Sequence, residues 1–111
     1  MSIKEHREVI SQNRSTLYHF FKDQDFILKY MKVGKGSYKV FQVPYRWDHS
    51  FLLINDVRIT DFQSVILYTN ELVVRFSNYD DWQINIPYKV IKTISVTNDL
   101  DVGYQQLHLN K

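Results

Sequence analysis

The stretch that decides the fold is residues 26–43, which read FILKYMKVGKGSYKVFQV. Apolar side chains recur with a period of two through residues 26–33 and through residues 37–43, and that period is typical of β-strands. Gly34 and Gly36 stand between the two runs, and glycine readily adopts the positive φ that a tight hairpin turn requires. The stretch therefore predicts a β-hairpin.

Two further hairpins are predicted downstream. Asn55-Asp56 separates residues 52–54 from residues 57–59, and these residue types suit a two-residue turn. Asn70-Glu71 separates two longer apolar runs in the same way. The second hairpin is predicted with strands at residues 65–69 and 72–76, with Leu67 facing Val74 and Val65 facing Phe76.

The C-terminal third continues the β pattern. Trp82, Ile84 and Ile86 alternate with polar residues, which predicts a strand with one buried face. Pro87 has no amide hydrogen to donate within a sheet, so we expect the strand to end there. The rest is predicted as one helical turn at residues 88–91, a strand at 93–96 and an edge strand within 99–111.

An N-terminal helix is predicted over residues 3–22. Ser2 and Glu5 have the spacing of a capping box. Apolar side chains then recur at spacings of three and four. The stripe consists of Ile3, Ile10, Leu17 and Phe20, and His6 and Asn13 interrupt it. Residues 11–16 are poor helix formers, which is compatible with a break near residues 13–15. We expect the stripe to pack on the sheet, because a small sheet gains stability when one face is covered.

The composition favours a single strand-rich domain. The chain has 111 residues, of which 44% are hydrophobic and 15% aromatic, and it has no alanine. This length suits one domain, residues 1–111, and the lack of the best helix former favours strands. We predict an α+β fold in which a helical segment, residues 1–24, packs on a β-rich body, residues 25–111. About seven short, mainly antiparallel strands would form a small barrel or a two-layer sheet.

No motif predicts catalysis, a cofactor or a metal. The chain has no cysteine, which excludes disulfides, thiol nucleophiles and cysteine-based metal sites. Gly36 follows Lys35, where a phosphate-binding loop needs Ser or Thr. Asp48-His49-Ser50 are consecutive, whereas the members of a hydrolase triad converge from separate segments. We expect a non-enzymatic cytoplasmic protein, without a leader or a membrane span.

Charge is distributed unevenly along the chain. Residues 26–47 hold five basic residues and no acidic one, whereas residues 48–85 hold two basic and six acidic residues. Within residues 29–47 the cations alternate with aromatic rings, as in many sites for single-stranded nucleic acid. A commoner arrangement is a hairpin whose lysines face solvent and whose rings fill the core. The net charge of +2 is also low for a dedicated nucleic-acid-binding protein.

These observations favour a non-enzymatic interaction module that binds a protein partner. Tyr, Trp and Arg dominate the energetics of protein interfaces. The candidate partner-binding residues are Lys32, Lys35, Lys39, Tyr45, Arg46, Trp47, Tyr79 and Trp82. Self-association through a tail strand at residues 104–109 is one version of this hypothesis. The alternative is a small-barrel nucleic-acid-binding protein that uses the hairpin at residues 29–47. Small size and the absence of alanine would suit an accessory protein of a low-G+C bacterium, phage or mobile element.

Overall fold

The computed structural model describes residues 3–44, 51–76, 83–97 and 107–109. Within these ranges the chain forms one α-helix, nine β-strands and one 3-10 turn. The helix is α1 (Ile3–Asp23), the 3-10 turn is Tyr88–Val90, and the strands are β1 (Ile27–Val33), β2 (Gly36–Gln42), β3 (Phe51–Ile54), β4 (Val57–Thr60), β5 (Phe62–Leu67), β6 (Glu71–Phe76), β7 (Gln83–Pro87), β8 (Thr93–Thr97) and β9 (Leu107–His108).

The strands form two sheets, and neighbouring strands are antiparallel throughout. The larger sheet has the order β1-β2-β5-β6-β7 and the smaller has the order β4-β3-β8-β9. One hydrophobic cluster contains buried side chains from α1 and from both sheets. The predicted α+β class, with an N-terminal helix packed on antiparallel strands, is therefore confirmed. The described residues contain nine strands, where about seven were expected.

Helix α1 covers the larger sheet with its apolar stripe. It extends one residue beyond the predicted C-terminal end and continues without a break through residues 13–15. Leu17 and Phe21 are fully buried, and the ring centroids of Phe21 and Phe41, a residue of β2, lie 5.6 Å apart. The prediction that the helix packs on the sheet is confirmed. This burial explains why poor helix formers do not interrupt α1, because tertiary packing outweighs intrinsic propensity.

The β1–β2 hairpin forms as predicted. Val33 pairs with Gly36, so the turn consists of Gly34 and Lys35. Gly34 has a φ of 59°, in the left-handed region that favours glycine. A Cβ atom at Gly36 would lie 2.9 Å from the hydroxyl oxygen of Tyr38. The backbone conformation therefore favours glycine at position 34, whereas a Cβ atom at position 36 would require the Tyr38 ring to shift.

Asn55 and Asp56 form the predicted turn between β3 and β4. Their φ values are 51° and 66°, and positive φ at both central residues is the pattern of a type I′ turn. The Nδ2 of Asn55 donates to the carbonyl of Val90 at 2.8 Å. Its Oδ1 accepts from the amides of Lys92 at 2.6 Å and Thr93 at 3.2 Å. One turn residue thus joins the β3–β4 hairpin to the segment that precedes β8.

A single residue turns the chain from the smaller sheet to the larger one. β4 ends at Thr60 and β5 begins at Phe62, and Asp61 between them has a φ of 59°. A short polar side chain tolerates this left-handed conformation better than a branched one. The pairing of β5 also shifts between Phe62 and Ser64, an irregularity typical of a bulge that bends a strand. The corner at Asp61 lets consecutive strands belong to different sheets.

The predicted register of β5 and β6 is wrong by two residues. Val65 pairs with Val74, where the sequence predicted Phe76. Leu67 pairs with Leu72, where the sequence predicted Val74. The amide of Tyr68 donates to the carbonyl of Glu71 at 3.0 Å, so the turn lies one residue earlier than predicted. Because side chains alternate with a period of two, the same side chains remain on the buried face.

β7 lies at the far edge of the larger sheet and is more exposed than predicted. Ile84 is 39% exposed and Ile86 is half-buried, because β7 has a neighbouring strand on one side only. Pro87 ends the strand and the 3-10 turn follows it, as predicted.

β9 pairs with β8 at the edge of the smaller sheet, which agrees with the predicted edge strand. Apart from residues 107–109, the predicted tail segment, residues 99–111, lies outside the described residues.

Candidate functional site

Three of the eight predicted partner-binding residues lie in the described part of the chain. Lys32 is in β1, Lys35 is in the hairpin turn and Lys39 is in β2. Lys32 and Lys35 are exposed, and Lys39 is half-buried. The other five stay predictions because they lie outside the described residues: Tyr45, Arg46, Trp47, Tyr79 and Trp82.

The two faces of the β1–β2 hairpin have different surroundings. Lys39 lies on the same face of β2 as Phe41, since the two are two residues apart, and Phe41 is buried under α1. Tyr30 pairs with Lys39, so Tyr30 and Lys32 also project on the helix side of the sheet. Lys29 projects from the opposite face. The hairpin thus directs two lysines and one tyrosine toward the side that α1 occupies.

Lys39 meets α1 through an aromatic ring. Its Nζ lies 4.1 Å from the centroid of the Tyr18 ring, and the Nζ of Lys22 lies 5.8 Å from the same centroid. The face of an aromatic ring attracts a cation through its quadrupole. Tyr18 in turn packs on Phe41, with ring centroids 5.7 Å apart. The contact with Tyr18 holds the Lys39 ammonium between β2 and α1. Because the Tyr18 ring carries no net charge, it does not neutralise the positive charge of Lys39 as a carboxylate would.

A groove runs between α1 and the strands β2 and β5. One part has a volume of about 420 Å³ and is lined in part by Ser11, Arg14, Ser15, Ser37, Lys39 and Thr69. An adjoining part of about 350 Å³ shares Ser11, Arg14 and Thr69 and also contains Arg7, Ile10 and Asn70. We call the two parts together the α1–β2 groove.

The α1–β2 groove is cationic. Arg7 and Arg14 from α1 line it together with Lys39 from β2, and the described residues that line it include no Asp or Glu. Hydroxyl groups that can donate a hydrogen bond are interspersed with these cations. They belong to Ser11, Ser15, Tyr18, Ser37 and Thr69. This arrangement creates positive potential inside a concave surface, which attracts anions.

Sequence reasoning missed the groove because it considered only the apolar stripe of the helix. A second stripe recurs with the helical period beside the first. Its members are Arg7, Ser11, Arg14, Tyr18 and Lys22. This spacing is visible in the sequence and places three cations on one helical face. The contribution of Lys39 could not be predicted in the same way, because it depends on how the helix lies across the hairpin.

β1 is the edge strand of the larger sheet. In a hairpin with a two-residue turn, the two residues that flank the turn form a hydrogen-bonded pair. The backbone groups that bond to β2 are therefore those of Val33, Met31, Lys29 and Ile27. The amide of Val43 donates to the carbonyl of Gln63 at 2.9 Å, which agrees with this alternation. Backbone N–H and C=O groups that point away from β2 therefore belong to Leu28, Tyr30 and Lys32.

Apolar side chains are exposed along the same strand. Among the described residues, three of the six large apolar side chains with high exposure lie on β1: Ile27 at 41%, Tyr30 at 64% and Val33 at 50%. Lys29 and Lys32 lie between them and are exposed as well. Exposed edge strands readily pair with another chain, and lysines are a common guard against unselective pairing. We call this surface, residues 27–33 with its outward backbone groups, the β1 edge.

Tyr88 lies fully buried in the 3-10 turn that contacts α1. Its hydroxyl donates a hydrogen bond to the carbonyl of Tyr68. Burial raises the pKa of Tyr88, the positive charge of Arg14 opposes this effect, and the negative charge of Glu71 adds to it. The phenol is therefore neutral at ordinary pH and acts as a structural hydrogen-bond donor.

The described residues show no candidate metal centre. They contain no group of three or more His, Asp or Glu side chains placed to hold a metal ion. His19 is exposed, and Asp48-His49-Ser50 lies outside the described residues. Within the described part of the chain, no helix is long and apolar enough to cross a membrane.

Comparisons of the chain with family models, with curated proteins and with solved structures gave no match. A functional assignment therefore depends on the β1 edge and the α1–β2 groove.

Proposed function

We propose that the chain is a non-enzymatic interaction module that binds an extended, acidic segment of a partner protein along the β1 edge. The observation that carries the proposal is the row of outward backbone groups on β1. Strand addition at a sheet edge derives affinity from main-chain hydrogen bonds and specificity from alternate side chains. Exposed Ile27, Tyr30 and Val33 supply apolar surface that a bound strand would cover.

The charges around β1 favour an acidic partner. Lys29, Lys32 and Lys35 are exposed, and residues 26–47 contain no Asp or Glu. Opposite charges on neighbouring strands stabilise a pair, whereas like charges destabilise it. A partner segment that alternates acidic with apolar residues would match this edge. The five predicted residues outside the described part of the chain remain proposed contacts with the partner.

The same lysines disfavour the pairing of two β1 strands. Such a pair would place the lysines of both copies along one seam, where like charges repel each other. The proposal therefore commits to a different, acidic protein as the occupant of the β1 edge. A second copy of the chain is an outcome that the experiment below would reveal.

Photo-cross-linking tests this proposal in the native cell. Tyr30 is replaced by a photoreactive phenylalanine derivative, and the cross-linked segment of the captured protein is identified by mass spectrometry. We expect an extended segment rich in Asp or Glu. Attachment to a basic segment, to a helix or to a second copy of the chain would contradict the proposal.

Two substitutions at the same position supply the matched control. Tyr30→Pro removes the outward amide hydrogen, which an edge strand tolerates on its solvent side, whereas Tyr30→Thr removes the ring and keeps the amide. We expect Tyr30→Pro to abolish binding of the segment that cross-linking identifies, added as a synthetic peptide, and Tyr30→Thr to weaken it. If Tyr30→Pro still folds and binds this peptide as tightly as the unmodified chain, strand addition at β1 is wrong.

Single-stranded nucleic acid is the second candidate, favoured by one observation. Tyr30 is exposed beside Lys32 and Lys39 on the same side of the hairpin, and a base could stack on its ring while the lysines contact phosphates. This candidate predicts that oligonucleotide affinity decreases steeply with salt and when Lys32, Lys35 and Lys39 are changed to Gln. The absence of binding to both single-stranded and duplex oligonucleotides at low salt would eliminate it.

A further inference from the structure

We infer that the α1–β2 groove is a binding site for a small phosphate-bearing molecule, separate from the β1 edge. Arg14 lines both parts of the groove, Arg7 lines one part and Lys39 lines the other. Arg14 is therefore common to the two parts, and each part contains one further cation.

The charges in the groove lack acidic partners among the described lining residues. Arg14 and Lys39 are half-buried, so each has lost part of its hydration. An anion that enters the groove would offset that cost. This reasoning favours an anionic ligand over a neutral or cationic one.

One of the donors, Lys39, is held in place before any ligand enters. The cation–π contact with Tyr18 fixes Lys39 at 4.1 Å from the ring centroid, and α1 holds Arg14 opposite the strands. The positive charge of Arg14 also lowers the pKa of buried Tyr88, against the larger effect of burial. That influence is consistent with a guanidinium near the protein interior. Preorganised donors reduce the entropy that binding must overcome.

The hydroxyl groups distinguish phosphate from other anions. Ser11 and Ser15 line the groove from α1, Ser37 lines it from β2, and Thr69 lines it from the turn between β5 and β6. A phosphate group has three oxygens that can accept from a guanidinium, an ammonium and hydroxyls together, whereas a carboxylate has two. The larger part of the groove, about 420 Å³, falls in the size range of sites for small organic ligands.

Calorimetric titration of the full chain tests the inference, with inorganic pyrophosphate and adenosine monophosphate as probes. The dicarboxylate glutarate, at matched ionic strength, is the comparison ligand. We expect a phosphate probe to bind as one molecule per chain and glutarate to bind more weakly. Tighter binding of adenosine monophosphate would identify a nucleotide, and tighter binding of pyrophosphate would identify a phosphate group alone.

Three variants locate the site. Arg14→Gln and Lys39→Gln should each weaken phosphate binding about tenfold or more, as expected for the loss of a charge-assisted hydrogen bond. Lys29→Gln removes the same charge from the opposite face of the hairpin and should change affinity much less. If Arg14→Gln does not fold, Lys39→Gln against Lys29→Gln tests the same point.

Several outcomes would overturn the inference. Equal losses in all three variants would show general charge attraction only, and equal affinity for glutarate would indicate a carboxylate site. Binding of an oligonucleotide but of neither small probe would assign the groove to nucleic acid. Tyr30→Pro should leave phosphate binding unchanged, so failure of the groove and failure of the β1 edge can be distinguished.

Discussion

The Nζ of Lys39 lies 4.1 Å from the centroid of the Tyr18 ring, so a strand residue and a helix residue meet across the α1–β2 groove. The contact has a local consequence for stability. Cation–π pairs at partly exposed sites contribute about 0.5–1 kcal/mol. In a double-mutant cycle with Tyr18→Leu and Lys39→Gln, urea unfolding should give a coupling free energy in this range. Strictly additive effects would show that the two side chains do not interact in solution.

Leu17 anchors α1 in the hydrophobic core. It is fully buried, and its truncation to Ala removes buried methyl groups and leaves a cavity. We expect Leu17→Ala to lower the free energy of unfolding by about 2–5 kcal/mol. The exposed His19 on the same helix provides a control, because His19→Ala should change stability by less than about 0.5 kcal/mol. Equal effects of the two substitutions would contradict the observed packing of α1.

Asn55 should be more important for stability than its exposed position in a turn suggests. Asn55→Gly keeps the positive φ but removes the bonds to Val90, Lys92 and Thr93, so we expect a loss of about 1–3 kcal/mol. Asn55→Ala should cost about 1 kcal/mol more, because a Cβ disfavours this backbone conformation. Thermal unfolding measures both variants. Asp56→Asn also keeps a residue that tolerates positive φ and should be nearly neutral.

Tyr88 should make folding stability sensitive to high pH. Because burial raises its pKa in the folded state, the unfolded chain loses the phenolic proton first. The stabilisation is complete below the ordinary tyrosine pKa of about 10 and is lost progressively as the pH rises above it. Urea unfolding at about pH 9 and about pH 11 should show a steeper decline for the unmodified chain than for Tyr88→Phe. Equal declines would indicate that Tyr88 titrates alike in both states.

Local signals in the sequence predict the elements of this fold better than their long-range arrangement. The apolar stripe predicts α1, together with a capping box whose Ser2 lies outside the described residues. The glycines predict the β1–β2 turn, and Asn55-Asp56 predicts a two-residue turn, which the structure shows to be of type I′. The β5–β6 register was wrong because two overlapping residue pairs both suit a turn, and only the Tyr68 amide bond to Glu71 decides between them. The division into two sheets depends on pairings such as β3 with β8, which no local pattern specifies.

For the two candidate binding surfaces as well, local sequence patterns indicate individual residues but not how the fold brings them together. The lysines of the hairpin were predicted from charge and spacing, and the structure places Lys32 and Lys39 on one side of the sheet. The arginines of the α1–β2 groove were overlooked, although Arg7 and Arg14 share the helical period. Their association with Lys39 arises from the packing of α1, and the outward amides of β1 follow from its edge position. Both features depend on tertiary structure.

The most direct test of strand addition is amide hydrogen exchange of β1, measured by NMR with and without the acidic segment identified by cross-linking. In the free chain, the amide of Met31 should be protected by β2, and the amides of Tyr30 and Lys32 should exchange rapidly. When the segment binds, we predict that Tyr30 and Lys32 become protected while Met31 changes little. If the segment binds and the Tyr30 and Lys32 amides still exchange as rapidly as in the free chain, the β1 edge is not the binding site.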